Sequence, residues 1–279
     1  QGPHSWDYGY NQSLNSTRHK FNIFSDEAFY FLTIGDTEGK RITTQSPITA
    51  QSNTTISNFD DFVFFEKDAI NLFAVGQQWF GDGFSIENMR SYTIPFDEID
   101  ENEPITVRVR GVAESLQSSQ MDISVNNQNL FNISYRALGG LTLAYTNENS
   151  GSINLAGNSV EVQVAFNNNG NPGAKAFLDY IEVLGKRKLI AKDFQFAFRN
   201  LNLLNLNGVF EYKIENASKI KWVWDITNPI SPKIVENQSS NTNFTFKVNG
   251  SQLLEYILIP ENDFFTPNLL EISTVENQN

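Results

Sequence analysis

A chain of 279 residues exceeds the usual ~100–200-residue domain, so two or three modules are expected. Its 20 basic and 32 acidic residues leave a net charge of −12, which repels phosphate backbones and excludes nucleic acid as a partner. Disulfides, thiolate nucleophiles and thiolate-held zinc are excluded as well, because there is no cysteine. The 40% hydrophobic content, with 23 Phe, suffices for real cores. No apolar run approaches the ~18 residues that span a bilayer.

The opening Gln1-Gly2-Pro3-His4-Ser5-Trp6 has neither a basic start nor an apolar stretch. A signal peptide has therefore been removed, or this is an internal piece of a longer protein. The only histidines, His4 and His19, lie in a polar segment with Asp7. A metal site wants three or four convergent ligands, so they read as surface residues, and no metal or cofactor is implied. Asp60-Asp61, and Asp82 near Glu87, are the calcium candidates, but neither has the spacing of an EF-hand loop. Structural or solvated carboxylates are the preferred reading. Over Asp68 to Gln77 the pattern predicts a short helix, with Asp68 as N-cap, Ile70, Phe73 and Ala74 on its apolar face, and Gly76 at its end.

Beyond the acidic connector 97–104, period-2 alternation dominates. Ile105-Thr106-Val107-Arg108-Val109-Arg110, Val160–Val164 and Val209–Ile214 each put apolar residues on one face and polar ones on the other. Such half-buried strands belong in antiparallel sandwiches. The expected class is all-β: tandem antiparallel β-sandwich or jelly-roll-like modules with at most one or two short helices. The expected spans are 1–100, possibly incomplete at the start, 101–185, and 186–279; two alternatives stay open, a sandwich shared by the second and third modules, and an incomplete first. Asn167–Gly173 reads as a loop, and Lys186-Arg187-Lys188 as a solvated turn between strands. Asn249-Gly250 predicts a hairpin joining Phe244–Val248 to Leu253–Ile257, and Asn207-Gly208 a second such turn.

The sequence holds no G-x-S-x-G elbow, phosphate loop or dinucleotide fingerprint. Its Asn-x-Ser/Thr triplets read as chance in an Asn-rich chain. Two aromatic clusters remain: Trp79-Phe80-Gly81-Asp82-Gly83-Phe84, and Trp222-Val223-Trp224-Asp225-Ile226-Thr227-Asn228-Pro229. Strand alternation puts Trp222 and Trp224 on one face, Val223 and Asp225 on the other. Buried core anchors are the preferred reading; a sugar-stacking platform is the alternative. That alternative, a carbohydrate-binding β-sandwich, is also favoured by the jelly-roll-like spacing of 105–184.

These clusters carry a resemblance. Phe65–Phe73 followed by Gly76-Gln77-Gln78-Trp79-Phe80-Gly81-Asp82, and Val223–Pro229, resemble the β region ahead of the peptidase domain in gingipain-like sortases (peptidase family C25, PorU type) of the Bacteroidota type IX secretion system. Gln77 stands where that pattern often has Arg. Gln1-Gly2-Pro3 with Trp6, and Val275–Asn279 as a lead-in to the peptidase domain, add to the likeness. The resemblance implies a parent exported to the cell surface and associated with the outer membrane. That parent removes C-terminal sorting domains from cargo and attaches the cargo to lipopolysaccharide. The family's cysteine–histidine dyad lies in the peptidase domain, so no catalytic residue carries over to this cysteine-free chain. Implied partners are the protein's own C-terminal peptidase domain, an outer-membrane protein of the PorV type, and cargo sorting domains. Candidate motif residues are Trp79, Phe80, Asp82, Trp222, Trp224 and Asp225.

Overall fold

The computed structural model describes residues 4–11, 16–21, 35–72, 78–237 and 241–268, with side chains from residue 35 onward. In chain order the strands are β1 (His4–Asn11), β2 (Ser16–Phe21), β3 (Thr43–Thr44), β4 (Thr54–Ile56), β5 (Asn58–Glu66), β6 (Gly83–Phe84) and β7 (Met89–Pro95). Then follow β8 (Ile105–Glu114), β9 (Ser119–Val125), β10 (Gln128–Tyr135), β11 (Tyr145–Ile153), β12 (Ser159–Asn167) and β13 (Lys175–Lys188). The last six are β14 (Phe196–Arg199), β15 (Val209–Ile214), β16 (Ile220–Asp225), β17 (Lys233–Glu236), β18 (Phe244–Asn249) and β19 (Glu255–Pro260). Among the described residues the helices are two 3-10 turns, Leu201–Asn205 and Ala217–Lys219, so the all-β expectation holds. No helix among them is long and apolar enough to cross a membrane.

The chain divides into two compact units, each discontinuous: 1–41 with 60–188, and 42–59 with 189–279. The spans expected from sequence divide the chain consecutively, whereas it passes between the compact units three times.

In the first unit a β10-β9-β12-β7 sheet packs on a second sheet of order β11-β8-β13-β5, with β6 also on β13. Alternation builds the core. Val160, Val162 and Val164 of β12 point inward with Met121, Ile123 and Val125 of β9, opposite Val107, Val109, Ile181 and Val183 of β8 and β13. A two-residue turn, Asn126-Asn127, joins β9 to β10 with φ of 45° and 64°, left-handed values that Asn tolerates and that match strand twist. Along one side the two sheets meet through side chains: Asn147 and Asn149 of β11 donate to the Ser134 and Asn132 carbonyls of β10, both at 2.8 Å. The 167–173 loop forms as expected; Asn167, Asn168 and Asn171 accept from backbone N–H groups two residues on.

The second unit is a smaller sandwich, with sheets β14-β19-β16-β17-β3 and β18-β15-β4. Its core is aromatic: Phe59, Phe198, Tyr212, Phe246 and Tyr256 meet in stacked and edge-on pairs with centroids 5.2–6.4 Å apart.

Three local expectations are corrected. The segment 68–72 is not helical: Ala69 and Ile70 N–H groups donate to the Phe80 carbonyl and Phe80 N–H returns to the Ile70 carbonyl, an extended pairing that takes up the acceptor a helix would offer to its next turn. Phe73–Gln77 lie outside the described residues. Lys186-Arg187-Lys188 is no turn; it ends β13, where Lys186 is buried and bonds Asp60 at 2.9 Å while Arg187 bonds Asp61 at 2.6 Å. Opposite charges across neighbouring strands make the basic run compatible with burial. Finally, Phe244–Val248 and Glu255–Ile257 are strands, but not a hairpin: β18 pairs with β15, and β19 with β14 and β16. Gly250 N–H bonds the Gly208 carbonyl, and Ser251, at φ 66°, bonds the Leu203 carbonyl, so the connection crosses to the opposite sheet. Asn207-Gly208 likewise leads from one sheet into the other, with Gly208 at φ 116°.

Candidate functional site

The first aromatic motif is laid along β13. Phe80 is buried and bridged to Ile70, while Gly81 N–H donates to the Leu178 carbonyl at 2.7 Å and Leu178 N–H to the Asp82 carbonyl at 3.0 Å. A Cβ on Gly81 would come within 2.9 Å of the Lys67 carbonyl oxygen, so this close passage requires glycine. Asp82 accepts from the Lys67 ammonium at 2.8 Å and from the Tyr92 hydroxyl at 3.3 Å; the lysine bond holds its carboxyl below the usual carboxylate range. Glu87 is taken separately by Arg90 at 2.8 Å. Each calcium candidate thus has a cationic side-chain partner, as Asp60 and Asp61 do. Trp79 is the exception in its motif, with 45% of its surface exposed.

Beside it runs a polar row that the sequence motifs did not single out. On the face of β8, β11 and β13 turned away from the core, register aligns Glu148 with Arg110 and Tyr180, and Ser150 with Arg108 and Glu182. Arg108 and Glu182 form an ion pair with the carboxylate wholly buried. Tyr180 donates to Glu148 at 2.9 Å, and burial, then the Glu148 charge, pushes its phenol above its ordinary range. Asp179 is the extra residue of a β-bulge between Leu178 and Tyr180. Its carboxylate lies 3.3 Å from Arg110 Nε and accepts from Gln78 Nε2, also at 3.3 Å. Burial pushes its pKa up to about 6 against the opposing pull of Arg110. The alternation in Val107–Arg110 was the available signal; the partners, some 70 residues away, had no local one.

In the second motif the alternation reads correctly but the buried side is the other one. Val223 is fully buried in the core, while Trp222 and Trp224 are half-buried on the outer face of β16. Trp224 is thus no core anchor, because a bulge between Ile220 and Trp222 resets which residues face inward. Trp222 lies 6.0 Å from the Phe264 ring and 4.6 Å from the Lys221 ammonium. The Trp224 indole N–H is buried and has no hydrogen-bond partner among the described residues. Asp225 and Asn228 are turn formers: Asp225 Oδ1 accepts from Thr227 N–H at 3.0 Å and Asn228 Oδ1 from Ile230 N–H at 3.1 Å. His4 and His19 lie on β1 and β2, which pair antiparallel; their side chains and that of Asp7, like Gln1–Pro3 and Val275–Asn279, lie outside the described residues. Among the described residues no group of three or more His, Asp or Glu is arranged to hold a metal ion.

Fold and sites together define a mainly antiparallel β-sandwich protein in which the first aromatic motif is laid along β13 and the second lies on β16. The dimeric latent PorU from Porphyromonas gingivalis shares this fold, with a TM-score of 0.72 over 92% of the chain at 17% identity. The chain spans 25% of that PorU chain's length. The likeness read in the aromatic motifs is therefore matched at the level of fold. Carbohydrate-binding modules align more weakly: CBM36 in complex with calcium and xylotriose over 44% of the chain (98% of its own) at a TM-score of 0.30 and 16% identity, and CBM35 from Cellvibrio japonicus Abf62 over 46% (97% of its own) at 0.32 and 12%. Those scores carry no functional argument. No protein-family model and no curated protein matches the chain.

Proposed function

We propose that this chain is a non-catalytic β region of a PorU-like, gingipain-type sortase of the type IX secretion system. The parent removes C-terminal sorting signals from cargo and attaches cargo to lipopolysaccharide at the cell surface. This region positions the peptidase domain and binds a cargo sorting domain or an outer-membrane protein of the PorV type. The observation that carries the reading is the PorU fold over 92% of a chain with no cysteine to serve as nucleophile. Incubating the purified chain with a cargo sorting-domain peptide tests it: the peptide stays intact and the chain is retained by immobilised PorV-type protein or sorting domain. Cleavage by this chain alone, or retention by neither, overturns the reading.

A second reading, sugar binding, is favoured by one residue, the half-exposed Trp79 beside the Gln78–Asp179 bond. A glycan array in which Trp79→Ala abolishes the signal supports it, and a silent array removes it.

A further inference from the structure

Four connections of the first unit leave from one end of its sandwich. The registers require it: Lys175 pairs with Glu114, Tyr145 with Ala113, Tyr135 with Ser119 and Ala165 with Met89. Residues 85–88, 115–118, 136–144 and 167–174 therefore share that pole. Backbone bonds from Leu138 N–H to the Ser115 carbonyl and from Phe166 N–H to the Asn88 carbonyl, with the Asn171 amide on the Ser115 hydroxyl, hold neighbouring loops together.

Three of the four loops present aliphatic side chains to solvent: Ile86 is 100% exposed, Leu116 77%, Leu141 98% and Leu143 60%. Single exposed leucines need no explanation, but four at one pole do. The tip at Gly139-Gly140 stands clear, since a Cβ on either would meet nothing within 4 Å. Charge is also sorted. In a chain with 32 acidic residues, loops 115–118, 136–144 and 167–174 contain no Asp or Glu. The charged groups at this pole are Arg136, stacked over Tyr145 at 4.1 Å, Lys175, Glu114, and the Arg90–Glu87 pair.

Protein-binding hot spots are centred on aromatic and Arg anchors seated in pockets. Separate aliphatic tips, three of the four on loops free of carboxylates and with Arg136 and Lys175 beside them, suit a fluid apolar layer beneath anionic headgroups, which needs no shape complementarity. We propose that this pole docks on an anionic lipid surface. Ile86, Leu116, Leu141 and Leu143 enter the acyl boundary, and Arg136 and Lys175 meet the headgroups. The proposal stands independently of the sortase reading.

Co-sedimentation of the full chain with vesicles tests it, using equal parts phosphatidylglycerol and phosphatidylcholine against phosphatidylcholine alone. The native chain sediments with the anionic vesicles and less with the neutral ones. A variant combining Ile86→Ser, Leu116→Ser, Leu141→Ser and Leu143→Ser retains the native melting temperature, since all four side chains are exposed, and loses binding by about 10-fold or more. Arg136→Glu with Lys175→Glu reduces binding to the anionic vesicles selectively. Absence of native binding to anionic vesicles, or undiminished binding by the four-serine variant, overturns the proposal and leaves the loops to a protein partner.

Discussion

The two units solve the same packing problem with different residues. In the first, strands of seven to fourteen residues on the main sheets each send several side chains inward, and β-branched Val and Ile fill the core. In the second, most strands on the two sheets have four to six residues and contribute only two or three inward positions each. Phe and Tyr, which each bury on the order of 150–250 Å², supply the area that short strands otherwise lack. Strand length thus decides which side chains a sandwich needs. The first unit has room besides for a buried polar row on the far face of one sheet.

The contrast breaks most readily at the aromatic centre. Replacing Phe198, fully buried among Phe59, Tyr212 and Tyr256, by Ala should cost about 3–5 kcal/mol in urea denaturation, against about 0.5–1.5 for Ile181→Val in the aliphatic core. Equal losses would mean that the ring cluster carries no special share. Removing one partner of the buried ion pair is nearly as severe: Glu182→Ala should cost about 3–5 kcal/mol by taking away the carboxylate paired with Arg108, while replacing both with Leu and Met costs far less. A double replacement as damaging as the single one would assign the effect to packing.

Asp179 sharpens the comparison through pH. Its folded-state pKa, about 6, exceeds the ordinary value of 3.8, so the native state binds the proton first. The protonated form's stabilisation is complete below the ordinary value and is lost as pH rises through about 6. Denaturation midpoints of the native chain should therefore rise relative to Asp179→Asn as pH falls from 7 towards 4; a constant difference would place the carboxylate in solvent. The smallest effect belongs to Trp224→Phe. This removes an indole N–H without a described partner from a half-buried ring, and should leave stability within about 0.5 kcal/mol or raise it slightly. A larger loss would reveal an acceptor for that N–H.

Strand existence was legible because side-chain alternation is a property of consecutive residues: Val160–Val164 and Val209–Ile214 point their apolar residues as their pattern demands. The loop at 167–173 was legible for the same reason, since three of its four Asn bond a backbone group two positions on. At Trp222 and Trp224 a one-residue bulge was enough to turn the predicted buried face outward. Asp68–Ile70 shows a helical pattern losing to an extended partner ten residues away.

Composition and alternation by themselves established an all-β protein with cores to bury and, without cysteine, no thiol chemistry. The tertiary structure alone decided who pairs with whom. It sent β18 and β19 into opposite sheets despite an Asn-Gly between them, buried Lys186 against Asp60, and joined Arg108 to Glu182 across 74 residues. An inward-facing strand satisfies its apolar side equally well beside a neighbour or across the core from it, and local sequence contains no term that separates the two.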